Sequence, residues 1–364
     1  MTRNNSLLRN FFFLTAGTFI ATAALAQTSS LLVLAKSDNT VAIVDPATLQ
    51  VLARIPSGPD PHEIVASDDG KLAFISNYGG LDSTLNTISV VDLVARKPLP
   101  AIDLGALRSA HGLAFGGGKL YFTAETNKVI GRYDPATQRV DWILGTGQDR
   151  THMVFVSKTL DRSITSNVNS ATISILEQVS QPNGPPLGGP PGSAPPAPPQ
   201  GFRPPGGPRL TWKITNVPAG KGCEGFDVSP DGKEIWAANA QDATVTIIDA
   251  ATKKVIETVP IPVKGANRLK FTPDGQRVFI SGLGARDPAD SSLVILDAGT
   301  HKEVKRMSLG GGAAGILMAP DGSRAYVAVS GGDKVAVVDL KTFEVVGQIS
   351  AGKQPDGLAW AVHQ

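Results

Sequence analysis

Three of the five histidines in this 364-residue chain stand at the start of short apolar runs. They are His62 in DPHEIV, His111 in SAHGLAF and His152 in RTHMVF. Two acids take the same position in similar phrases, Glu224 in GCEGFDV and Asp356 in QPDGLAW. Imidazole and carboxylate groups bind metal ions and exchange protons near neutral pH, so this column of residues is the first candidate for a site.

One interpretation of the column is a metal site. Imidazoles with a carboxylate suit Zn, Cu, Mn or Fe(II), and three protein ligands with an open position are typical of a catalytic ion. The residues predicted to bind such a divalent ion are His62, His111, His152 and Glu224.

A second interpretation is acid–base chemistry without a metal, in which a carboxylate orients and tunes a histidine. Arginines nearby could stabilise an oxyanion or hold a substrate carboxylate. The predicted catalytic residues are His111, His152, Glu224 and Arg268. The residues predicted to contact the substrate are Arg150, Asn267 and Asp356. In a third interpretation these polar groups only solvate the mouth of a channel.

The elements that must position these residues are repeated along the chain. Apolar runs that end in Asp-x-x-Thr, such as VAIVDPAT, VTIIDAAT and VAVVDLKT, alternate with Asp-Gly turns, such as SPDGKEIWAAN and TPDGQRVFISG. Asp-Gly between apolar runs predicts a hairpin, and Asp and Thr side chains stabilise tight turns. Each unit of about forty residues therefore predicts four short strands, which we name A to D in chain order.

The number of units predicts a closed ring. Seven strands A and seven strands B can be counted. The chain after residue 26 begins with strands B, C and D and ends with a lone strand A, DGLAWAV. The C-terminal strand is expected to complete the N-terminal blade and so remove a free edge. The predicted fold class is all-β, a seven-bladed β-propeller of four-stranded blades.

This fold explains how residues far apart in sequence could meet. Strand A is the innermost strand of a blade, so equivalent positions at its start form an arc around one mouth of the central channel. The column in blade order is His62, His111, His152, Glu224, Asn267, Ala314 and Asp356. The loops between strands B and C share this face, and two of them, residues 77–86 and 282–292, are long enough to wall a pocket.

Two segments differ from the repeat. Residues 1–26 contain two arginines, an apolar run and an Ala-Leu-Ala site, which predict a signal peptide, a periplasmic or secreted protein, and no stable membrane insertion after cleavage. Residues 182–208 hold twelve of the 27 prolines and predict a disordered Pro/Gly-rich insertion between strands C and D of one blade, on the face opposite the histidines. The insertion is either a tolerated surface loop or a contact arm for a protein or envelope partner.

Composition excludes several classes of function. The chain has 34 basic and 32 acidic residues, two of the basic ones in the predicted leader, so no nucleic-acid partner is expected. The single cysteine, Cys223, cannot form a haem-attachment motif or a thiolate zinc site, and no phosphate-binding loop is present; neither haem nor a nucleotide is expected.

Phrases such as NTVAIVDPATLQVLARIPSG resemble the YVTN-repeat, YncE-like propellers over nearly the whole secreted part. The starts of strands A are also similar, in blade order, to those of the lactonase and muconate-cycloisomerase propellers. That resemblance implies His111 or His152 as acid/base, with Glu224, Arg268 and Arg150 binding an anionic or lactone substrate.

The sequence therefore predicts a propeller that binds and transforms a small anionic or lactone-like molecule at a His/Glu site, with a divalent metal as an open alternative. If it is an enzyme, it is a lactonase-type hydrolase, lyase or isomerase. The other prediction is a non-catalytic scaffold that presents loops to a protein, polysaccharide or envelope partner.

Overall fold

Apolar runs of about six residues, bounded by the repeated turns, form the strands of the computed structural model of the protein. The structure describes Met1 and residues 29–80, 83–181, 209–287 and 289–362. The predicted signal peptide beyond Met1, and the insertion at 182–208, lie outside these residues. No helix of the described part is long and apolar enough to cross a bilayer.

In chain order the strands are β1 (Ser29–Ala35), β2 (Thr40–Val44), β3 (Val51–Pro56), β4 (Pro61–Ala66), β5 (Leu72–Asn77), β6 (Thr87–Asp92), β7 (Lys97–Asp103), β8 (Ala110–Gly116), β9 (Lys119–Ala124), β10 (Val129–Asp134), β11 (Arg139–Gly145), β12 (Thr151–Val156), β13 (Arg162–Asn167), β14 (Thr172–Gln181), β15 (Arg209–Pro218), β16 (Cys223–Val228), β17 (Glu234–Asn239), β18 (Thr244–Asp249), β19 (Lys254–Pro260), β20 (Ala266–Phe271), β21 (Arg277–Gly282), β22 (Leu293–Asp297), β23 (Glu303–Met307), β24 (Ile316–Met318), β25 (Arg324–Val329), β26 (Lys334–Asp339), β27 (Val345–Ile349) and β28 (Pro355–Val362). A single 3₁₀ turn, Ser330–Gly332, follows β25 in the described part.

These strands form seven antiparallel sheets of four strands, which confirms the predicted seven-bladed propeller. Blade 1 is β4–β7, blade 2 is β8–β11, blade 3 is β12–β15, blade 4 is β16–β19, blade 5 is β20–β23 and blade 6 is β24–β27. Blade 7 has the order β28-β1-β2-β3, so the C-terminal strand pairs with the N-terminal one, as predicted. Their register runs from Ser29 opposite Val362 to Ala35 opposite Pro355.

The middle strands of the blades are apolar on both faces because each blade packs against two neighbours. In β17, for example, Trp236 joins a cluster that includes Phe271 and Val278 of blade 5. Neighbouring blades thus bury continuous apolar layers between them, and burial of this kind is the main favourable contribution to folding. The outer strands are largely exposed, as in β19.

The Asp-x-x-Thr turns are structural, as their residue types indicate. Asp45 accepts a hydrogen bond from the backbone N–H of Ala47 at 2.9 Å and from the hydroxyl of Thr48 at 2.8 Å. A side-chain bond of this kind satisfies backbone groups that the tight turn leaves unpaired. These residues belong to the turn between strands C and D and lie away from the column of histidines.

The insertion at 182–208 joins the last two strands of blade 3, as the sequence predicts. Strands β14 and β15 are ten residues each and pair continuously from Thr172 opposite Pro218 to Gln181 opposite Arg209. They are the longest strands of the described residues. The hairpin therefore extends beyond the other blades on the face opposite the start of strands A.

Candidate functional site

A cavity of about 310 Å³ lies where the strands A begin, at one mouth of the channel. All seven residues of the predicted column line it: His62, His111, His152, Glu224, Asn267, Ala314 and Asp356. The two predicted arginines, Arg150 and Arg268, line it as well. Residues that span almost 300 positions of sequence are thus brought together by the ring. Each of the two long loops predicted to wall the pocket contributes a side chain, Tyr78 and Leu283.

A β-bulge positions the column in the blades. Pairing between strands A and B shifts register by one residue at this point in blades 1 to 5 and blade 7. In blade 2 the shift falls between Ala110 and Leu113, so His111 and Gly112 stand opposite a single residue, Thr123. A bulge re-aims a side chain and leaves backbone groups unpaired, which then need other partners.

Strand-B hydroxyls supply those partners and tie each blade to the next. The hydroxyl of Thr123 accepts from the Gly112 N–H at 2.9 Å and donates to the carbonyl of His152, in blade 3, at 2.7 Å. Blades 2 and 3 approach so closely that a Cβ on Gly112 would lie 2.5 Å from that carbonyl oxygen. Ser166 likewise donates to the carbonyl of Glu224, so the backbones of both site residues are fixed across a blade boundary.

The imidazole of His152 is held between two carboxylates. Its Nδ1 hydrogen-bonds Glu125 Oε1, and its Nε2 lies 2.9 Å from Glu224 Oε2. Burial alone lowers the pKa of His152, but Glu224 and Glu125 outweigh it and raise the pKa above the ordinary value. Burial raises the pKa of Glu224, but His152 and Arg150 outweigh it and lower that pKa to about 2. The two carboxylates therefore favour the charged form of His152.

Glu125 is fully buried and is itself oriented by two further groups. Tyr78 donates its phenol hydrogen to Glu125 Oε2 at 2.7 Å, and Arg150 Nε lies 3.5 Å from the same oxygen. Arg150 also donates from Nη1 to Glu224 Oε1 at 3.2 Å. Burial and the charge of Glu125 raise the pKa of Tyr78, so it remains a phenol donor. One cluster of opposite charges thus links blades 1 to 4.

His62 also stands between two carboxylates. Its Nε2 lies 3.3 Å from Asp60 Oδ1, and its Nδ1 lies 3.6 Å from Asp356 Oδ2 on the ring-closing strand β28. The contact with His62 lowers the pKa of Asp60. Burial raises the pKa of Asp356 despite the contact with His62.

His111 differs from its two neighbours. Its ring stacks on that of His152, with centroids 3.6 Å apart and planes at 29°, and it lies 5.2 Å from the ring of His62. Among the described residues, no polar group pairs with its buried Nδ1. Burial, reinforced by the charge of His152, holds the pKa of His111 well below its ordinary value. It is therefore a neutral imidazole between two histidines that carboxylates hold in place.

By ligand type and spacing, a metal ion could be held by His111, Glu125 and His152, whose donor atoms lie within 4.8 Å of one another. The ring geometry does not favour it. An ion at about 2.1 Å from two imidazole nitrogens lies close to both ring planes. Stacked rings present their nitrogens side by side, so neither ring plane is directed at a shared ion. The present arrangement fits a proton network better than a coordination sphere.

Arg268 points across the channel. It belongs to blade 5, and its Nη2 lies 2.5 Å from Glu63 Oε1 of blade 1. Glu63 and Arg268 each follow a column residue in sequence, where blades 2, 4, 6 and 7 carry glycine. Burial lowers the pKa of Arg268, but Glu63 outweighs it and raises it, so the guanidinium stays charged. The pair spans the channel next to the cavity.

Cys223 lies next to Glu224 but takes no part in the cavity. Its side chain is fully buried in an apolar cluster with Phe226 and Ile164. Burial raises the pKa of the thiol to about 12, and a thiol that stays protonated is a poor nucleophile. Its role is packing between blades 3 and 4.

The comparisons with known proteins support the fold. No protein-family model and no curated protein matches the sequence. A structure of a functionally unknown protein from Desulfotomaculum acetoxidans is similar with a TM-score of 0.69 and 12% identity, over 91% of this chain and 98% of that one.

Two candidate 6-phosphogluconolactonases are similar to the same extent. The one from Bacteroides fragilis has a TM-score of 0.68 and 16% identity, over 93% of this chain and 99% of the other. The one from Bacteroides uniformis has a TM-score of 0.66 and 14% identity, over 92% and 99%. At such low identity the likeness shows a shared seven-bladed architecture.

Sequence reasoning missed Tyr78 and Glu125. Both lie one residue beyond strand B, so they form a second column, and its members in blade order are Tyr78, Glu125, Val168, Ala240, Leu283, Ser330 and Lys36. The sequence allows this second column to be found, because the residues that follow the strands B can be aligned in the same way as the residues that start the strands A. Nothing repeats along this second column, however, so its residue types give no pattern.

Proposed function

We propose that the cavity binds a small anionic or lactone-like molecule and transforms it by acid–base chemistry, with His111 as the proton acceptor. The observation that carries the proposal is the contrast among the three imidazoles. His62 and His152 each lie between two carboxylates, whereas His111 is neutral and forms no ion pair among the described residues. A neutral imidazole has a ring nitrogen that can accept a proton, and His111 lines a cavity that also holds cationic groups.

For a lactone the step is hydrolysis. A water molecule gives a proton to His111 as its oxygen bonds to the ring carbonyl carbon, and the carbonyl becomes an oxyanion. The guanidinium of Arg150 has five N–H donors, of which Glu224 and Glu125 engage only some, so it can stabilise this charge. The ring C–O bond then breaks, His111 returns its proton to the leaving oxygen, and a hydroxy acid remains.

The remaining groups of the network position the reacting ones. Glu125 and Glu224 fix the ring of His152, which supports His111 by stacking and adds positive charge next to it. Arg268 and Asn267 line the same cavity and would hold an anionic part of the molecule. The names of the Bacteroides propellers, candidate 6-phosphogluconolactonases, favour the lactone class.

The test is an assay for hydrolysis of simple γ- and δ-lactones, in which the protons released by the acid product are measured. Replacing His111→Asn should lower kcat by about 100- to 10,000-fold, the usual contribution of a general base. His301→Asn is the matched control, because His301 pairs with Glu257 outside the cavity and should leave the rate unchanged. Absence of turnover for every lactone, or full activity in the His111 variant, contradicts the proposal.

We further propose that the protein acts in the periplasm or outside the cell, after removal of residues 1–26. The two arginines, the apolar run and the Ala-Leu-Ala site of the sequence support this. Mass spectrometry of the exported protein should give Gln27 as the first residue. A chain that retains Met1 would contradict it.

A second candidate function is a contact arm formed by residues 182–208. The observation that favours it is the continuous ten-residue pairing of β14 and β15, the two strands that the insertion connects in sequence. Joining Gln181 to Arg209 through a two-residue Asn-Gly turn removes the insertion and keeps the hairpin. Attachment to isolated envelope fragments should be lost in this variant, while lactone hydrolysis stays the same. Unchanged attachment would exclude the arm.

A further inference from the structure

The cavity has one sector without charge. Around the rim, the column residues of blades 7 and 1 to 4 are acids or histidines, but those of blades 5 and 6 are Asn267 and Ala314. The second column continues the sector, since these two blades contribute Leu283 and Ser330. The one charged side chain that blade 5 adds to the cavity is Arg268, which points across the channel to Glu63.

Leu283 is exposed over 40% of its surface, although the backbone around it is fixed. Its N–H donates to the carbonyl of Gly265 at 3.0 Å, and the N–H of Gly284 donates to Lys264 at 2.9 Å. A Cβ on Gly312 would lie 2.5 Å from the carbonyl oxygen of Leu283, so blade 6 packs directly against this turn. A single exposed leucine is ordinary on a protein surface. This one lines the cavity, on a turn whose backbone is fixed.

We propose that the molecule bound here carries a short aliphatic substituent, which packs against Leu283 and over Ala314 while its reacting group lies near His111. This inference rests on the proposed function, whose substrate class it narrows to alkyl-substituted lactones or the corresponding acids. A cavity of about 310 Å³ accommodates roughly ten water-sized groups, at about 30 Å³ each, which leaves room for a five-membered ring and a short chain.

Ala314 adds no bulk to this sector, because its side chain is buried. Ser281 fixes the backbone there by donating to the carbonyl of Ala314 at 2.6 Å. Leu283 would supply the apolar contact, and each methylene buried against it should improve recognition by about fourfold.

The experiment compares kcat/KM for γ-butyrolactone, γ-hexalactone and γ-octalactone in three proteins. In the unchanged protein kcat/KM should rise at least tenfold along the series. Leu283→Asn should reduce the rise in kcat/KM from γ-butyrolactone to γ-octalactone to below threefold. Leu52→Asn, an outer-strand leucine with 47% exposure, is the matched control and should change nothing.

Binding of butanoate and octanoate, measured by calorimetry in the same proteins, separates this inference from the proposed function. Turnover with no dependence on chain length overturns the inference and leaves the proposed function standing. No turnover, with octanoate binding that depends on Leu283, overturns the hydrolytic function and supports the contact between an aliphatic chain and Leu283. Absence of both turnover and acid binding overturns both.

Discussion

At the scale of residues, the site consists of three imidazoles in different electrostatic settings. His152 is charged because two carboxylates outweigh its burial, whereas His111, stacked on it, is neutral because burial and that charge act in the same direction. The difference comes from Glu224, whose charge raises the pKa of His152 most, and from Glu125, which pairs with its Nδ1. Environment, more than residue type, assigns the roles.

Replacing Glu125→Gln should lower the pKa of His152 and destabilise the fold by about 1.5–3 kcal/mol, the range for a hydrogen bond to a charged group. The folded pKa of His152 lies above its unfolded value, so its contribution is complete below pH 6.5 and is lost as pH rises through the folded pKa. The loss of unfolding free energy in the variant should therefore be largest at pH 6 and smaller above the folded pKa of His152. Denaturant unfolding at pH 6 and at a series of higher pH values measures it.

The control is Glu257→Gln, which changes the same kind of pair at His301, where the carboxylate is exposed. Exposed ion pairs contribute about 0–1 kcal/mol, so this variant should lose little stability at either pH. Equal losses of unfolding free energy in the two variants would show that the buried pair of His152 and Glu125 contributes no more than an exposed one.

At the scale of elements, the bulge at the start of strand A and the hydroxyl on strand B act together. The bulge turns a column residue toward the cavity, and the hydroxyl pairs the N–H that the bulge frees and joins the next blade. Neighbouring site residues are thus fixed relative to one another by the blade interface, which a variant of Thr123 can test.

Thr123→Val should destabilise the protein by about 1–3 kcal/mol, because the N–H of Gly112 and the carbonyl of His152 lose a partner in a buried place. Thr123→Ser keeps the hydroxyl and should recover most of this loss. Urea unfolding gives the free energies, and the NMR signals of the His152 ring should move in the valine variant alone. A valine variant as stable as the serine variant would contradict the role of the hydroxyl.

The repeated elements explain which parts of the fold and the site could be predicted from the sequence. Asp-Gly and Asp-x-x-Thr turns set the strand count, and a repeated position placed His62, His111 and His152 on one rim, since these signals recur along the chain. Glu125 and the pairing of Glu63 with Arg268 were not predicted. The first lies in a position where no residue type repeats, and the second joins blades that face each other across the channel, a distance that sequence spacing does not encode.

At the scale of the whole molecule, the ring depends on its last strand. Strand β28 pairs with β1 along its length, its Ala359 and Ala361 are buried with the residues of blades 7 and 1, and the indole N–H of Trp360 donates to the carbonyl of Met318 in blade 6 at 2.8 Å. One strand therefore joins the two ends of the propeller and carries Asp356 into the cavity.

Ending the chain after Gln354 should lower the free energy of unfolding by about 5 kcal/mol or more, because several apolar side chains lose their burial. That corresponds to a fall of roughly 10 °C or more in Tm. Thermal unfolding followed by circular dichroism measures it, and a chain that ends after Val362 is the control. A peptide of residues 355–362 added in trans should restore part of the loss. Equal Tm values for the two truncated chains would contradict the role of β28.

The pairing of β1 with β28 also delays ring closure until the end of the chain has been made. Ala35 and its partner Pro355 are about 320 residues apart, and a ribosome making about 5–20 residues per second needs roughly 15–60 s to span them. Throughout that interval strand β1 has an unpaired edge, which is a template for association with other chains. The residues made last end this exposure and bring Asp356 to His62, so closure of the ring and completion of the site occur together.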